Sequence, residues 1–272
     1  MVFDKESNMM IVGYDNNIVS FIEITEKKIV KKVLQFDFLK GLLRGCIFDK
    51  NKVNLILKNG ELFSFDLRDT KNSKSGKIDK VITSFYKYSD DIMLVGTSSG
   101  ELISINGVEF KTLLNNIPGS ITAIKSDVKA GKIFLGTSSG NLLEYDFKNE
   151  IPKEINAYKI AKGAITKLDF NDKIKKCVAL SADKKITIID FFNKNSKPAI
   201  ISTPDLFIRA IMLTKDGKII TSSSDLKIKE YETDMEIMAT ELCPLLTRNL
   251  SETEWNKYVG DNVSYKTLNC IK

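Results

Sequence analysis

Leu94-Val95-Gly96-Thr97-Ser98-Ser99-Gly100-Glu101-Leu102-Ile103 returns almost unchanged as Phe134-Leu135-Gly136-Thr137-Ser138-Ser139-Gly140-Asn141-Leu142-Leu143, 40 residues further along the chain. In each copy, a hydrophobic run, a short polar turn that ends in glycine and a second hydrophobic run predict a β-hairpin. Glycine suits this position because it tolerates the positive φ that two-residue hairpin turns require. The chain therefore repeats one structural unit, which indicates its fold more clearly than its biological role.

Four weaker copies of the hairpin flank this pair, and the step from Gly60 to Gly100 is again 40 residues. They are Met9–Tyr14 with Ile18–Ile22, Val53–Leu57 with Glu61–Phe65, Cys177–Leu180 with Ile186–Asp190, and Lys218–Thr221 with Leu226–Tyr231. A short extended segment precedes each hairpin and another follows it, which predicts four strands per repeat. Six such units at a period near 40 residues are typical of the blades of a β-propeller.

The strands outside the hairpins are less uniform. Small and β-branched residues favour innermost strands at Ile121–Lys125, Ala164–Asp169 and Phe207–Met212, because strands from all blades converge on the axis there. Ile29–Leu34 is the clearest outer strand, and the polar stretch Asp69–Lys77 is predicted to be a loop.

The repeated turn also fits the Gly-x-Ser-x-Gly pattern of a nucleophile elbow. That motif needs a histidine base and a helix directly after the serine. The chain has no histidine, and Glu101–Ile105 has the pattern of a strand. A phosphate-binding loop is disfavoured as well, since no Gly-Lys-Ser/Thr follows the turn. The hairpin is therefore the better interpretation.

Composition places the chain among soluble globular proteins. Its 272 residues carry a net charge of +6 at pH 7, spread along the chain in short groups such as Lys173–Lys176. Dispersed lysine is usually a solvated face, so the charge does not favour nucleic acid as a partner. No segment has the pattern of a secretory signal, and no apolar run approaches the ~20 residues that a membrane helix needs. We expect a cytoplasmic protein without a membrane partner.

The four cysteines, Cys46, Cys177, Cys243 and Cys270, are far apart and form no Cys-x-x-Cys pair. This spacing predicts reduced, mostly buried thiols rather than a zinc site or a redox site. The sequence carries no cofactor motif and no metal motif, so we expect neither kind of site.

The repeats resemble WD40 repeats over about Met1 to Glu232. The Trp-Asp pair that ends a WD40 repeat is present in altered form, as Phe65-Asp66, Ile105-Asn106, Tyr145-Asp146, Ile189-Asp190 and Tyr231-Glu232. The resemblance implies that the first residue of each pair packs between blades. The Gly-His pair of the family is missing, which predicts blades held together by apolar packing, and other propeller families of similar period stay open.

A helical tail is predicted after the repeats. In the capping box Ser251-Glu252-Thr253-Glu254, the serine hydroxyl and the glutamate carboxylate bind backbone N–H groups that the first helical turn leaves unpaired. We expect a helix from Glu252 to Val259, ended by Gly260, with one apolar face on the propeller. The residues of this tail cap are Leu250, Ser251, Glu254, Trp255 and Tyr258, with Leu250 and Trp255 placed to form a hydrophobic staple.

The tail also resembles a known sequence. Thr247–Gly260, continued by Tyr265–Thr267 and Cys270, is similar to the Arg-Asn-Leu-Thr-x-x-Glu-Trp-x-x-Tyr tail of bacterial multidomain WD40 proteins. The resemblance implies a longer bacterial protein, in which the propeller follows a signalling NTPase or a caspase-like peptidase domain. Just upstream, Met235–Glu241 fits an outer strand of a sixth blade, a helix, or the end of a ring of about seven blades.

The fold class predicted is therefore all-β. It consists of a propeller of four-stranded antiparallel blades over residues 1–232, with six blades or part of seven, and a strand or helix tail over 233–272. A propeller presents loops on a rigid frame without chemistry of its own. We accordingly expect a non-enzymatic module that scaffolds or senses a protein partner.

The alternative from a different class is a propeller enzyme, a hydrolase or lyase. Its candidate groups are Asp169, Asp183 and Lys184, provided that they meet at the mouth of the channel with shifted pKa values. Turn residues such as Ser98 and Ser138 are interpreted as determinants of the fold. The sequence assigns no binding residue.

Overall fold

Six antiparallel β-sheets follow one another along the chain, one for each predicted repeat. The computed structural model describes residues 2–4, 8–13, 18–25, 29–35, 41–49, 51–148, 151–191, 198–203, 207–234, 237–238 and 248–258. In this part of the chain, five sheets have four strands and the last has three. We call the sheets blades 1 to 6 in chain order.

Each blade is a meander, because its strands pair in the order in which the chain forms them. Blade 1 comprises β1 (Val2–Asp4), β2 (Met9–Gly13), β3 (Ile18–Ile24) and β4 (Ile29–Gln35); blade 2 comprises β5 (Leu43–Asp49), β6 (Lys52–Leu57), β7 (Glu61–Asp66) and β8 (Asp69–Lys77). Blade 3 comprises β9 (Ile82–Lys87), β10 (Ile92–Thr97), β11 (Leu102–Asn106) and β12 (Glu109–Leu114); blade 4 comprises β13 (Ile121–Asp127), β14 (Lys132–Thr137), β15 (Asn141–Asp146) and β16 (Lys153–Lys159). Blade 5 comprises β17 (Ile165–Asn171), β18 (Lys176–Ser181), β19 (Lys185–Asp190) and β20 (Ala199–Ser202); blade 6 comprises β21 (Ile208–Leu213), β22 (Ile219–Ser223) and β23 (Ile228–Tyr231).

The repeated hairpins are confirmed, but their turns have three residues rather than two. The Thr97 N–H donates to the Glu101 carbonyl at 3.0 Å, and the Gly100 N–H donates to the Thr97 carbonyl at 3.3 Å. Gly100 has φ +76°, in the left-handed region. This is a turn followed by a left-handed residue, the common three-residue hairpin connection.

The left-handed position of this turn recurs along the chain with a change of residue. Glycine occupies it at Gly60, Gly100 and Gly140, whereas Lys184 and Leu226 occupy it in blades 5 and 6, both at φ +63°. Leu226 is consequently 96% exposed. Blades 5 and 6 thus adopt the same turn without glycine, at a cost of roughly 1–2 kcal/mol for each left-handed non-glycine residue.

The predicted loop at Asp69–Lys77 is wrong, since this segment is strand β8, paired with β7. The strand is the outermost one of blade 2, and almost all of its side chains are exposed. An edge strand of this kind needs only backbone hydrogen bonds to its neighbour, so polar side chains do not prevent it.

Apolar side chains fill the space between consecutive blades. Five buried clusters join blade 1 to 2, 2 to 3, 3 to 4, 4 to 5 and 5 to 6. Four of the five residues in the altered Trp-Asp positions are buried as implied, with Phe65, Ile105, Tyr145 and Ile189 all at most 5% exposed, whereas Tyr231 is half-buried. Cys46 and Cys177 are free thiols within these clusters, also as expected.

At two described positions, the start of the tail adopts the helical one of its predicted alternatives. Ile237 and Met238 are helical, and the Met238 N–H donates to the Asp234 carbonyl at 2.9 Å. The Ile237 N–H donates to the Asp234 carboxylate, so Asp234 caps this turn and stabilises helix over strand at these two positions. The rest of Met235–Glu241 lies outside the described residues. Within the described ranges, no helix is both long and apolar enough to span a bilayer.

Gly100→Ala should destabilise the protein strongly. A Cβ at this position would lie 2.1 Å from the Ile117 carbonyl oxygen, in a backbone conformation that alanine already resists. We expect a loss of about 3 kcal/mol in urea unfolding, from left-handed strain together with forced displacement of backbone.

Gly107→Ala is the matched control, because Gly107 has φ +63° but its Cβ would meet nothing nearer than the Ser64 hydroxyl at 4.0 Å. This variant should lose only about 1 kcal/mol, the strain alone. Equal losses for the two variants would contradict the steric account.

Candidate functional site

The axis of the molecule is lined by the first strand of each blade, β1, β5, β9, β13, β17 and β21. These inner strands contact one another in chain order, from β1 with β5 to β17 with β21. Each inner strand begins beside a hairpin turn, as the Ser138 N–H donation to Ser120 and the Ala182 N–H donation to Ala164 demonstrate. We call this end of the axis the hairpin face. The side chains at the start of the inner strands therefore surround its centre.

An identical irregularity occurs at the start of five inner strands. The pairing with the second strand shifts at the second residue of β5, β9, β13, β17 and β21. The residues at the shift are Arg44, Thr83, Thr122, Thr166 and Arg209. A bulge re-aims its side chain, so each blade presents one polar residue at the same level of the axis.

Two of the three threonines at this level connect neighbouring blades, while the Thr166 hydroxyl donates to the Leu180 carbonyl of its own blade. The Thr83 hydroxyl lies 2.6 Å from the Ile121 carbonyl of blade 4, and the Thr122 hydroxyl lies 2.5 Å from the Ile165 carbonyl of blade 5. Arg44 acts in the same way, since its Nε donates to the Ile82 carbonyl at 3.1 Å. The predicted apolar packing between blades is confirmed by the five buried clusters. Side-chain hydrogen bonds between blades, which the sequence analysis did not identify, add to it.

A cavity of about 270 Å³ opens at the centre of the hairpin face. Its lining comes from four consecutive blades and consists of Arg44, Thr83, Ser84, Phe85, Thr122, Ala123, Ile124, Thr166, Lys167 and Leu168. Two of these residues are cations and none is acidic. Partial desolvation lowers the pKa of the Arg44 guanidinium.

Charge is segregated along the axis. In β5, β9, β13, β17 and β21, the first three positions carry Arg44, Lys167 and Arg209 and no acidic residue. Among the residues that the structure describes, none of these three cations forms an ion pair. Within the part of the chain that the structure describes, the centre of the hairpin face is therefore positively charged.

The opposite end of the axis is neutralised by ion pairs between blades. Lys125 of blade 4 lies 2.9 Å from Asp169 of blade 5, whose second oxygen accepts the Leu213 N–H of blade 6 at 2.7 Å. Lys175 binds Asp127 at 2.7 Å across the same blade pair. These groups link blades 4, 5 and 6, and their charges are already satisfied.

The three residues of the enzyme hypothesis are not brought together. Asp169 pairs with Val178, whereas Asp183 and Lys184 lie in the turn five or six residues beyond it, on the order of 15 Å along the strand. The Ser181 hydroxyl holds the pKa of Asp183 below its ordinary value. Asp169 is occupied by Lys125. The described carboxylates at the axis thus do not form an acid–base pair.

Two further cavities lie outside the central one, and the larger of them is lined by outer strands of its blades rather than by the strands at the axis. One of about 270 Å³ lies on the hairpin face between blades 5 and 6, shares Thr166 with the central cavity and is bordered by Phe207, which is 67% exposed. The other, of about 450 Å³, lies between blades 4 and 5 beside the buried carboxylate of Glu144. Glu144 is already bound by Lys132 at 2.5 Å and by Asn156 at 2.8 Å. The cavity that contains two cations and the cavity bordered by the exposed Phe207 therefore both lie on the hairpin face.

The turn and tail residues singled out from the sequence have structural contacts. The Ser138 hydroxyl accepts the Ser120 N–H at 2.9 Å, which joins a hairpin turn to an inner strand. In the tail, the Ser251 N–H donates to Glu254 at 2.9 Å and the Glu254 N–H donates to the Ser251 hydroxyl at 3.3 Å. Arg248 adds a bidentate pair to Glu254, at 2.7 and 2.8 Å.

The tail helix runs from Glu252 to Tyr258, while Val259 and Gly260 lie outside the described residues. The hydroxyl, amide and guanidinium donors around Glu254 lower its pKa from 4.5 to about 2, with Arg248 the largest contribution. The staple between Leu250 and Trp255 and the packing of Trp255 and Tyr258 on the propeller stay predictions.

Sequence reasoning did not identify the cations at the axis. The signal was present, because Leu43-Arg44 and Ile208-Arg209 occupy the place of Ile-Thr in the other inner strands. This difference in sequence could not be interpreted before the shared bulge and the common level of these residues along the axis were known.

The fold is that of a WD40-type β-propeller. The chain is similar to a chain from the crystal structure of the Mitotic Checkpoint Complex, with TM-score 0.70 and 12% identity over 85% of this chain and 73% of that one. It is also similar to the WD40 propeller domain of Doa1, with TM-score 0.66, 12% identity and coverages of 86% and 78%. A third likeness is to the propeller domain of Cps50 (Swd1) from Myceliophteria thermophila, with TM-score 0.64, 12% identity and coverages of 85% and 81%. The sequence matches no protein-family model and no curated protein.

Asp169→Ala should weaken the contact among blades 4, 5 and 6. The Asp169 side chain is only 15% exposed, and its loss leaves the Lys125 ammonium and the Leu213 N–H without an acceptor. We expect a loss of about 2 kcal/mol in urea unfolding.

Asp172→Ala removes the comparable pair between blades 4 and 5, Lys129–Asp172, in which both side chains are well exposed. Solvent screens such a pair, so this control should change stability much less and its effect should vanish at high salt. A larger effect for Asp172→Ala than for Asp169→Ala would refute the assignment.

The capping box should weaken only in strong acid. Since the folded pKa of Glu254 is depressed, its contribution is present above about 4.5 and is lost as the pH falls through about 2. A titration of the Glu254 carboxyl carbon by NMR should give a midpoint near 2, and Arg248→Gln should move that midpoint upward. A midpoint near 4.5 in the unmodified protein would show that the cap does not form.

Proposed function

We propose that this protein is a non-enzymatic protein-interaction module that binds its partner on the hairpin face. The observation that carries the proposal is the positive, cavity-bearing centre of that face, opposite an end of the axis that is closed by ion pairs. A propeller holds its loops on a rigid frame, which favours recognition of a partner with little loss of conformational entropy.

The fold of the similar structures supports this class of function without proving it. One of these similar structures is a chain within the Mitotic Checkpoint Complex. Membership of that complex is a property of the similar protein. On the described part of the chain, the separation of Asp169 from Asp183 also favours binding over general acid–base catalysis. A turnover screen of the purified protein that found robust hydrolase or lyase activity would overturn this part of the proposal.

The tail extends the proposal to cellular context. We propose that the chain is the C-terminal part of a bacterial signalling protein that acts in the cytoplasm, with an NTPase or peptidase domain before the propeller. The support is the resemblance of Thr247–Gly260 to such tails. Detection of the native protein by antibody at a mass no greater than 30.6 kDa would count against it.

Two matched sets of charge reversals test the choice of face. Lys58, Lys162 and Lys184 are exposed on the hairpin face, and Lys148, Lys173 and Lys215 are exposed at the opposite end. Changing each set to Glu alters the net charge equally, so the two proteins differ only in where the change lies.

The variant with the hairpin-face reversals should retain at most about a tenth of the partner that co-purifies with the unmodified chain. Charge of the wrong sign repels a complementary partner. The opposite-face set should retain it. Cross-linking followed by mass spectrometry should locate the partner beside the hairpin turns. Loss of the partner in the opposite-face set alone would contradict the proposal.

A further inference from the structure

The centre of the hairpin face has the chemistry of an anion site. Arg44 and Lys167 line one cavity from opposite sides of blades 3 and 4, and Arg209 occupies the equivalent level of the axis in blade 6. Arg44 is held in place because its Nε donates to the Ile82 carbonyl. Because this bond fixes the guanidinium, its two terminal nitrogens have a defined orientation. Such an orientation suits bidentate binding of a carboxylate.

The threonine hydroxyls around the cavity do not reduce the positive charge that the cations supply. The Thr83 and Thr122 hydroxyls donate to backbone carbonyls of their own and the next blade, so they remain available only as acceptors. The acidic residues of the described inner strands, Asp49, Asp127 and Asp169, all lie in the later part of those strands. Asp4 ends the described part of β1 in the same way. Within the described inner strands, the mouth therefore carries cations and no acidic residue.

The size of the site favours a side chain over a nucleic acid strand. The cavity of about 270 Å³ is below the usual range of roughly 300–1,000 Å³ for sites that hold a whole small molecule. A nucleic acid would instead need a track of cations that neutralises several phosphates. Ala123, Ile124 and Leu168 also border the cavity, but they are buried between blades, so the groups open to a ligand are mainly polar. The carboxylate of one acidic side chain fits a site of this size and polarity.

We infer that the channel mouth binds a glutamate- or aspartate-rich segment of a protein partner, with one carboxylate received by Arg44 and Lys167. This inference rests on the proposed interaction function and specifies the chemistry of the partner. Arg44 and Lys167 contact the inserted side chain, while Arg209 attracts the acidic residues beside it. Binding of this kind weakens as salt rises, because the outer charges are screened.

The test uses the full chain and a fluorescein-labelled peptide with five consecutive glutamates between Gly-Ser flanks. The matched probe has five glutamines, and an eight-nucleotide single-stranded DNA carries comparable negative charge without carboxylates. We expect saturable binding of the glutamate peptide with Kd below about 1 mM, and at least ~10-fold weaker binding of the other two probes.

The variant Arg44→Gln/Lys167→Gln/Arg209→Gln should bind the glutamate peptide at least ~10-fold more weakly than the unmodified chain. Lys148→Gln/Lys173→Gln/Lys215→Gln removes the same charge from the opposite end and should bind it normally. If loss of the Arg44 contact to Ile82 prevents folding, Lys167→Gln/Arg209→Gln serves instead, since both side chains are exposed.

Three results would overturn the inference: no binding of the glutamate peptide, equal loss in the two charge-matched variants, or tighter binding of the DNA. The proposed function is judged separately. If the peptide fails to bind while the hairpin-face reversals still release the natural partner, the acidic segment is wrong and the interaction face is right.

Discussion

The close approach of consecutive inner strands is the constraint on which the rest of this structure depends. Each blade buries one apolar face against the next, and Gly96 and Gly136 allow this approach. A Cβ on either would lie within 2.6 Å of Ile121 or Ile165 of the following blade. At the same level, hydroxyls of Thr83 and Thr122 reach backbone carbonyls of that blade. Small residues and short donors therefore act together at one height of the axis.

That packing also decides where charge can be placed. At the later part of the inner strands, Lys125 and Asp169 come from different blades and neutralise each other. At the beginning of the strands, the bulge aims side chains across the axis, and Arg44 uses its Nε to perform the bridging role of threonine. The rest of its guanidinium then adds positive charge to the mouth.

The described blades place different residues at the left-handed position of the same hairpin turn. Blades 2, 3 and 4 place glycine at the left-handed position of the hairpin turn, while Lys184 and Leu226 accept the strain in blades 5 and 6. The turn is retained because its hydrogen bonds join it to the neighbouring inner strand, as the Ser224 N–H does with Phe207. Tertiary context can therefore impose a conformation that the local sequence does not favour.

The sequence by itself determined the features that are local and periodic. Hairpins such as Leu94–Ile103 combine apolar runs, a turn residue and near-constant spacing, all of which are properties of contiguous residues. It failed at Asp69–Lys77, because an edge strand is stabilised by its neighbour's backbone and leaves no apolar pattern. It also missed the hydroxyl bridges between blades. Only the tertiary structure decided that Arg44 and Arg209 lie at one level of one axis with Lys167 next to that level, since a shared bulge and the order of the blades bring together residues that are distant in the chain.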